Sequence, residues 1–406
     1  MQKDTESQRS GPSAVPSAML KVLGMIGTGE ATSRASIARF TGLARSTVSQ
    51  QVDVLIARGV VEETEINGSV RGRPPRRLSI SRDAGAIVTI DVDVMATQVS
   101  IADLGANLVA QDIVRATVDA GADELLDAVI AAADSLLRKH HWDRSRVRHV
   151  VVGLPAPVDF HRRTAVRPPI MPGWDGYPVG DHLQDAFGCP VLVDNDVNLM
   201  ALGEAVQEDT DTPLLFVKVG AGIGAGIITD AGTIHRGADG SAGDIGHIQV
   251  RTRRDTVCSC GKLDCLEAVA SYRAVLADLK IERSDTEDPL HASRELAQRV
   301  TRSDSSALFR IRQAATDLGE VVATLIHTLN PRTLVLGGPL SELHDEVLSG
   351  VRAAVYARAL PLATRKLVIT TSQLGAGAGT AGAVALARQE CFSAEGVARL
   401  LAASRT

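Results

Sequence analysis

The chain has 406 residues, 45% hydrophobic and 22% charged, with a net charge of −5, which predicts two or three domains with real apolar cores. The acidic balance excludes uniform nucleic-acid binding, no apolar run has the length of a membrane span, and the polar N-terminus lacks the apolar region of a signal peptide. A cytoplasmic protein without membrane contact is expected, and in that compartment clustered cysteines favour metal over disulfides. Charge is uneven: eleven Lys and Arg against seven acids in residues 1–80 give that segment +4 and leave −9 for the rest. Only this basic head is expected to meet phosphate.

Residues 1–16 are polar, with Pro12 and Pro16, and read as a disordered tail. Residues 17–80 read as a DNA-binding domain. Helices are predicted at Ala18–Ile26 and Arg34–Phe40, with Gly42 suited to the tight turn of a helix-turn-helix. Ser46 or Thr47 caps a third helix, in which Val48, Val52, Leu55 and Ile56 form one buried stripe. Thr47, Gln50 and Gln51 occupy the opposite face and suit the edges of bases in a major groove, while Arg45 suits phosphate. Val60-Val61 and Leu78-Ser79-Ile80 flank Asn67-Gly68 and read as the two strands of a wing. The segment Arg71-Gly72-Arg73-Pro74 resembles the core of an AT-hook, whose arginines enter a narrow minor groove. The alternatives are an ordinary three-helix packing module and a solvated basic linker.

From residue 85 the pattern becomes α/β. Strands are predicted at Ala86–Asp93, Thr97–Asp103 and Leu108–Arg115, then helix Ala122–Lys139, strand His149–Gly153, helix Asp181–Phe187 and strand Val191–Val193. The second half repeats the order. Strands Leu214–Val219, Ala225–Ile228 and Ile245–Val250 come first. Helix Asp304–Leu329, strand Thr333–Leu336, helix Glu342–Leu360 and strand Lys366–Thr371 follow. A three-strand start followed by alternating helices and strands, met twice, predicts a duplicated two-lobed fold. Helices Ala381–Glu390 and Ala394–Leu401 close the chain. The domains follow as a first lobe of residues 85–200 with 381–406, and a second lobe of residues 201–380.

Three of the five cysteines lie between Cys258 and Cys265. With His247 they make His247, Cys258, Cys260 and Cys265, the ligand number of a closed, structural Zn²⁺ site. Buried free thiols or a disulfide are the alternatives. Asp194-Asn195-Asp196 ends a strand and opens a helix, where an amide and a carboxylate suit sugar hydroxyls; helix capping by Asp194 or Asn195 is the plainer reading. The glycine runs 220–226 and 337–338 suit phosphate or are simple turns.

Gly243-Asp244-Ile245-Gly246-His247 followed by Cys258-Ser259-Cys260-Gly261-Lys262-Leu263-Asp264-Cys265-Leu266-Glu267 resembles the signature of the ROK family of sugar-responsive repressors and sugar kinases. The resemblance extends over most of the chain. It implies a winged helix-turn-helix followed by a two-lobed actin/hexokinase-like (ribonuclease H-like) domain, with the ligand in the cleft between lobes. It implies sugar contacts from Asn195, Asp196, Asp244, His247 and Glu267, with Asp196 matching the kinase general base. It also matches Gly153–Asp159 to the family's Pro-Gly-Pro-Val loop, with Ala156 for Gly, Gly220–Gly226 to its second phosphate loop and Gly337-Gly338-Pro339 to an adenosine-side turn. Two residues depart from the signature: the family usually has Glu at Asp244 and Gly at Asp264.

The family's kinases have Asp-x-Gly-Gly-Thr after the first strand. This chain has Asp91-Val92-Asp93-Val94-Met95-Ala96, where Asp93 repels and Val94 crowds an ATP phosphate. The expected protein is therefore no enzyme and keeps Asp196 only as a vestigial base. It is expected to be a sugar-responsive regulator, usually a repressor in this family, binding a double-stranded operator and a sugar or sugar phosphate as a homodimer or homotetramer. The alternative is an active ATP-dependent sugar kinase with an added DNA-binding domain. A zinc hydrolase has no water-activating site to support it.

Overall fold

The computed structural model describes residues 15–65, 76–94, 96–251, 254–282, 291–343 and 345–403. Contacts divide the chain into two compact units. The first holds residues up to Ala86, Ala102–Asn107 and residues from Arg388 onward; the second holds Ile87–Ile101 and Leu108–Ala387.

The first unit begins with helices α1 (Ser17–Thr28), α2 (Arg34–Thr41) and α3 (Arg45–Ala57), followed by strands β1 (Val61–Glu65) and β2 (Arg76–Ile80). Ser33 and Ser36 form a reciprocal capping box that starts α2, satisfying two backbone donors that a helix start leaves open. Gly42 ends α2 at φ 70°, a left-handed turn that glycine adopts without steric cost. Val48, Val52 and Leu55 are buried, as the predicted stripe requires, with Ile56 half-buried beside them. Arg34 joins three elements through Asp53 at 2.7 Å and Glu63 at 3.2 Å. β1 and β2 pair antiparallel from Val61↔Ile80 to Glu65↔Arg76, giving the wing; Asn67-Gly68 between them lies outside the described residues.

The second unit contains two sheets. The first is ordered β5-β4-β3-β6-β9, from β3 (Ala86–Val92), β4 (Thr97–Asp103), β5 (Leu108–Val114), β6 (Val147–Leu154) and β9 (Val191–Asn195), with the small hairpin β7 (Val158–Asp159) and β8 (Thr164–Ala165) between the last two. Its helices are α4 (Ala122–Lys139), α5 (Val179–Phe187) and α6 (Asp196–Ala205). The second sheet is ordered β11-β10-β12-β13, from β10 (Leu214–Val219), β11 (Ile223–Ile228), β12 (Thr333–Gly337) and β13 (Val368–Thr371). β10 pairs antiparallel with β11 and parallel with β12, and β12 pairs parallel with β13.

The duplication is imperfect. Ile245–Val250 was expected as a strand, but Ile245–His247 forms a 3-10 turn and Gln249 makes only an isolated bridge to Cys265. Among the described residues the second sheet therefore lacks the counterpart of β5. The segment leaves the sheet to hold the cysteine loop, and three short helices follow: α7 (Leu266–Ala270), α8 (Tyr272–Asp278) and α9 (His291–Thr301). The long helix α10 (Ser305–Leu329) is capped by Asp304. After it come α11 (Pro339–Leu343), α12 (Asp345–Arg358), α13 (Pro361–Thr364), α14 (Ala378–Cys391) and α15 (Ala394–Ala403). Val322, Ile326 and Val351 are buried in one cluster with Leu215, Leu334 and Leu336 of the sheet. Each such side chain contributes about 1.5–3 kcal/mol.

The start of α14 packs on α6, where Leu199 faces Gly382. In the first unit, Arg388 donates to the carbonyls of Gly27 and Leu104, and Arg58 donates to Leu401 O at 2.7 Å. The last residues thus brace the helices of the head.

Candidate functional site

Strand ends of the second unit converge on an open cleft, as carboxyl ends of strands do in open α/β folds. Asp93 and Val94 reach it from the end of β3, Asn195–Asn198 from the β9–α6 junction, and Lys218 from β10. Asp244, His247 and Glu267 line it as well. All five residues matched to sugar contacts therefore line one cavity.

The β9–α6 junction is held by its own side chains. Asn195 caps α6, its Oδ1 accepting from Val197 N and Asn198 N at 3.0 and 3.3 Å. Its amide nitrogen donates to Ala156 O at 3.0 Å, tying down the Pro155–Pro157 loop. Helix capping is thus one use of Asn195, and its place on the cleft wall allows another.

Asp196 is 3% exposed. One of its oxygens accepts from Val197 N at 2.8 Å and the other from Lys218 Nζ at 2.6 Å. Lys218 also reaches Asp93 at 3.3 Å. Burial pushes the Asp196 carboxyl upward against the pull of Lys218. Burial lowers Lys218, but Asp196 and Asp93 outweigh it and hold the ammonium above its ordinary range. Asp91, behind this cluster, is pushed up to about 7 by burial, with Asp196 and Asp93 adding to the effect and Lys218 opposing it. Asp93, Lys218 and Asp196 thus form one ion cluster on the cleft wall. Sequence reading missed Lys218, although it is the only charged residue in a strand that otherwise reads Leu-Leu-Phe-Val-Lys-Val.

Glu267 lies in the first turn of α7, and its Oε2 accepts from Ile223 N at 3.1 Å, stapling the start of β11. A Cβ at Gly222 would lie 2.6 Å from that oxygen. Asp244 is exposed at the cleft edge.

The ligand atoms of His247, Cys258, Cys260 and Cys265 all lie within 4.8 Å of one another. Cys260 Sγ and Cys265 Sγ are 3.6 Å apart, and Cys258 Sγ is 3.5 Å from His247 Nδ1. Metal–thiolate bonds of about 2.3 Å give tetrahedron edges of roughly 3.7 Å. The sulfur separation is well beyond a disulfide bond of about 2.05 Å. The group fits a tetrahedral metal ion. Asp264, which replaces a usual glycine, has φ 54°. Asp tolerates this left-handed region better than most residues, and here its Oδ1 accepts from Thr256 N at 3.0 Å while its carbonyl accepts from Val250 N at 2.9 Å. Asp264 thus fits the turn and adds a clasp across the cysteine loop.

On the head, α3 begins at Arg45 with Ala44 as an N-cap that makes no side-chain bond. The expected cap by Ser46 or Thr47 is therefore absent, because the helix starts earlier and carries both residues in its first turn. Arg45, Ser46 and Gln50 are exposed and Thr47 is half-buried. Gln51, expected on the outward face, is buried, with its Oε1 unpartnered among the described residues. The helical period places it beside Val52 and Val48, on the core side of α3. Arg71 and Arg73 lie outside the described residues.

The ROK family model matches residues 87–390. The xylose repressor of Caldicellulosiruptor bescii is 28% identical over 386 residues, covering 92% of this chain and 96% of its own length. The DNA-binding transcriptional repressor Mlc of Escherichia coli is 26% identical over 380 residues, 91% of this chain and 92% of its own. Among solved structures, a ROK family transcriptional regulator homologous to Mlc superposes with a TM-score of 0.77 over 95% of this chain and 98% of its own, at 22% identity, a likeness of fold. A ROK family glucokinase from Streptomyces griseus, solved with glucose and AMPPNP, matches 75% of this chain and all of its own length at 25% identity, with a TM-score of 0.63. A family match over three quarters of the sequence, on a fold whose cleft gathers the signature residues, has one meaning: the chain belongs to the ROK family.

Proposed function

We infer that this protein is a sugar-responsive DNA-binding transcription regulator, a repressor of carbohydrate genes, whose cleft is a sensor and not a kinase site. Relatives of nearly the same length are named xylose repressor and transcriptional repressor, and the chain carries the winged helix-turn-helix that such a role needs. The observation that carries the non-enzymatic reading is the Lys218–Asp196 pair at 2.6 Å. The Lys218 ammonium also reaches Asp93 at 3.3 Å, a carboxylate in the loop after β3 where the family's kinases have Gly-Gly, while the Asp196 oxygens keep lone pairs for a sugar hydroxyl.

In this reading Asn195, Asp196, Asp244, His247 and Glu267 surround the sugar. A structural Zn²⁺ is held by His247, Cys258, Cys260 and Cys265. With Nδ1 of His247 toward the thiolates, Nε2 is left for the cleft, so the metal would fix the loop that presents His247 and Glu267. Arg45, Ser46, Thr47 and Gln50 contact the operator, and Arg71 and Arg73 reach the adjacent minor groove. A homodimer or homotetramer in the cytoplasm is the working form, since paired half-sites call for paired heads. Sugar shifts DNA affinity by its differential affinity for two protein arrangements, no more.

Two measurements test this together. Purified protein should bind its operator with an affinity that sugar changes, and should not turn over ATP with any of a panel of hexoses. ATP-dependent phosphorylation that vanishes in Asp196→Asn would make the protein a kinase.

A further inference from the structure

We propose that the cleft selects an uncharged sugar and rejects its phosphate ester, and that the Asp93–Lys218–Asp196 cluster sets this selectivity. The inference rests on the reading of the cleft as the sugar site. Four carboxylates, Asp93, Asp196, Asp244 and Glu267, line the cleft, and among the described lining residues Lys218 is the one Lys or Arg. That ammonium already contacts two carboxylates, at 2.6 and 3.3 Å. Phosphate recognition ordinarily needs an Arg or Lys whose charge is not already matched, or free backbone N–H groups at a helix start or glycine loop.

Several amides placed to meet a phosphate already have protein acceptors. At the start of α6, Val197 N and Asn198 N donate to the side chains of Asn195 and Asp196. In the glycine run, Gly220 N donates to Gly222 O, Ile223 N to Glu267, and Ala225 N to Gly243 O. A phosphate ester would therefore bring negative charge against a surplus of carboxylates, with these amides already engaged. The same wall suits hydroxyls that donate. The carboxylates of Asp244 and Glu267 accept, and Asn198, 2% exposed on the cleft wall, has an Oδ1 unpartnered among the described residues.

The test is calorimetric titration of the full-length protein with D-xylose, D-glucose and N-acetyl-D-glucosamine, and with the 6-phosphates of the last two. Repeating it on Asp93→Asn examines the cluster, since that carboxylate is 48% exposed and its loss leaves Lys218 less fully matched. At least one free sugar should bind, and a phosphate ester should bind about tenfold or more weakly than its parent sugar. Asp93→Asn should narrow that ratio by about threefold. A phosphate ester that binds more tightly than its parent overturns the selectivity while leaving the sugar-sensor reading intact. Discrimination that is unchanged in Asp93→Asn overturns the role of the cluster. Failure of every free sugar and ester to bind overturns the sensor reading and this inference with it.

Discussion

Glu267 joins two jobs, and its substitution separates them. Its carboxylate accepts from Ile223 N at 3.1 Å across 44 residues of sequence, and it forms part of the cleft wall. Ile223 is 4% exposed, so Glu267→Ala leaves a buried N–H without its acceptor. A hydrogen bond to a charged group contributes about 1.5–3 kcal/mol, and in a domain of this size that corresponds to a fall in Tm on the order of 3–10 °C. Glu267→Gln keeps an acceptor for Ile223 and should stay within about 1 kcal/mol of wild type. Both variants should lose most of the sugar response, because both remove the carboxylate from the cleft. Thermal melts and operator affinity, with and without saturating sugar at fixed salt, read the two effects separately. A Glu267→Ala protein that melts with wild type refutes the staple. A variant that still responds at the same sugar concentration refutes the cleft as the sensor.

Cys260→Ser should reduce zinc content and loosen the loop that precedes Glu267; metal analysis finding no zinc in a fully sugar-responsive wild type would remove the metal from the account. Gln50→Ala should change base preference at the operator with little effect on Tm, whereas Gln51→Ala should act on stability and leave base preference alone, which a binding-site selection and a melt distinguish. Asp91 titrates at about 7 in the fold, above the ordinary carboxylate value of about 3.9. The folded state therefore binds the extra proton, so this group's contribution is fully favourable at low pH and is lost as pH rises from about 4 through 7. Asp91→Asn should raise Tm at pH 8 relative to wild type and flatten the decline across that window; an unchanged pH profile would show that Asp91 does not carry it.

Much of the architecture was legible because it follows local rules. α4 and β10 fall on their predicted bounds, Ala122–Lys139 and Leu214–Val219, since an amphipathic period and a buried apolar run leave little alternative. Misreadings arose where a long-range partner overrides the local pattern. Ile248-Gln249-Val250 has strand composition, yet the chain around it serves the cysteine loop through the Gln249–Cys265 bridge and the Val250–Asp264 bond. Gln51 is polar and was assigned outward by residue type, although the helical period placed it among buried neighbours. The signature residues of the cleft were readable because the motif binds them together in sequence. Lys218 was not, because its partners Asp93 and Asp196 are 125 and 22 residues away and meet it only in the folded chain.

The glycine run 220–226 has a packing role of its own. In a kinase, such a loop is read as a phosphate cradle. Here Ile223 and Ala225 donate their amides to protein acceptors, and the glycines answer to packing. A Cβ at Gly226 would lie 2.5 Å from Val197 O, and one at Gly224 would lie 3.1 Å from Val197 Cγ2. β11 must therefore lie directly against α6, the helix that presents Asn195 and Asp196. Contact between backbones this close is lost with any added side chain. The loop after β3, which carries Asp93 and Val94, has a different neighbour in Lys218, 3.3 Å from Asp93. The contrast between the two loops follows from what each touches: the glycine run meets the backbone of α6, and the loop after β3 meets the ammonium of Lys218 through Asp93.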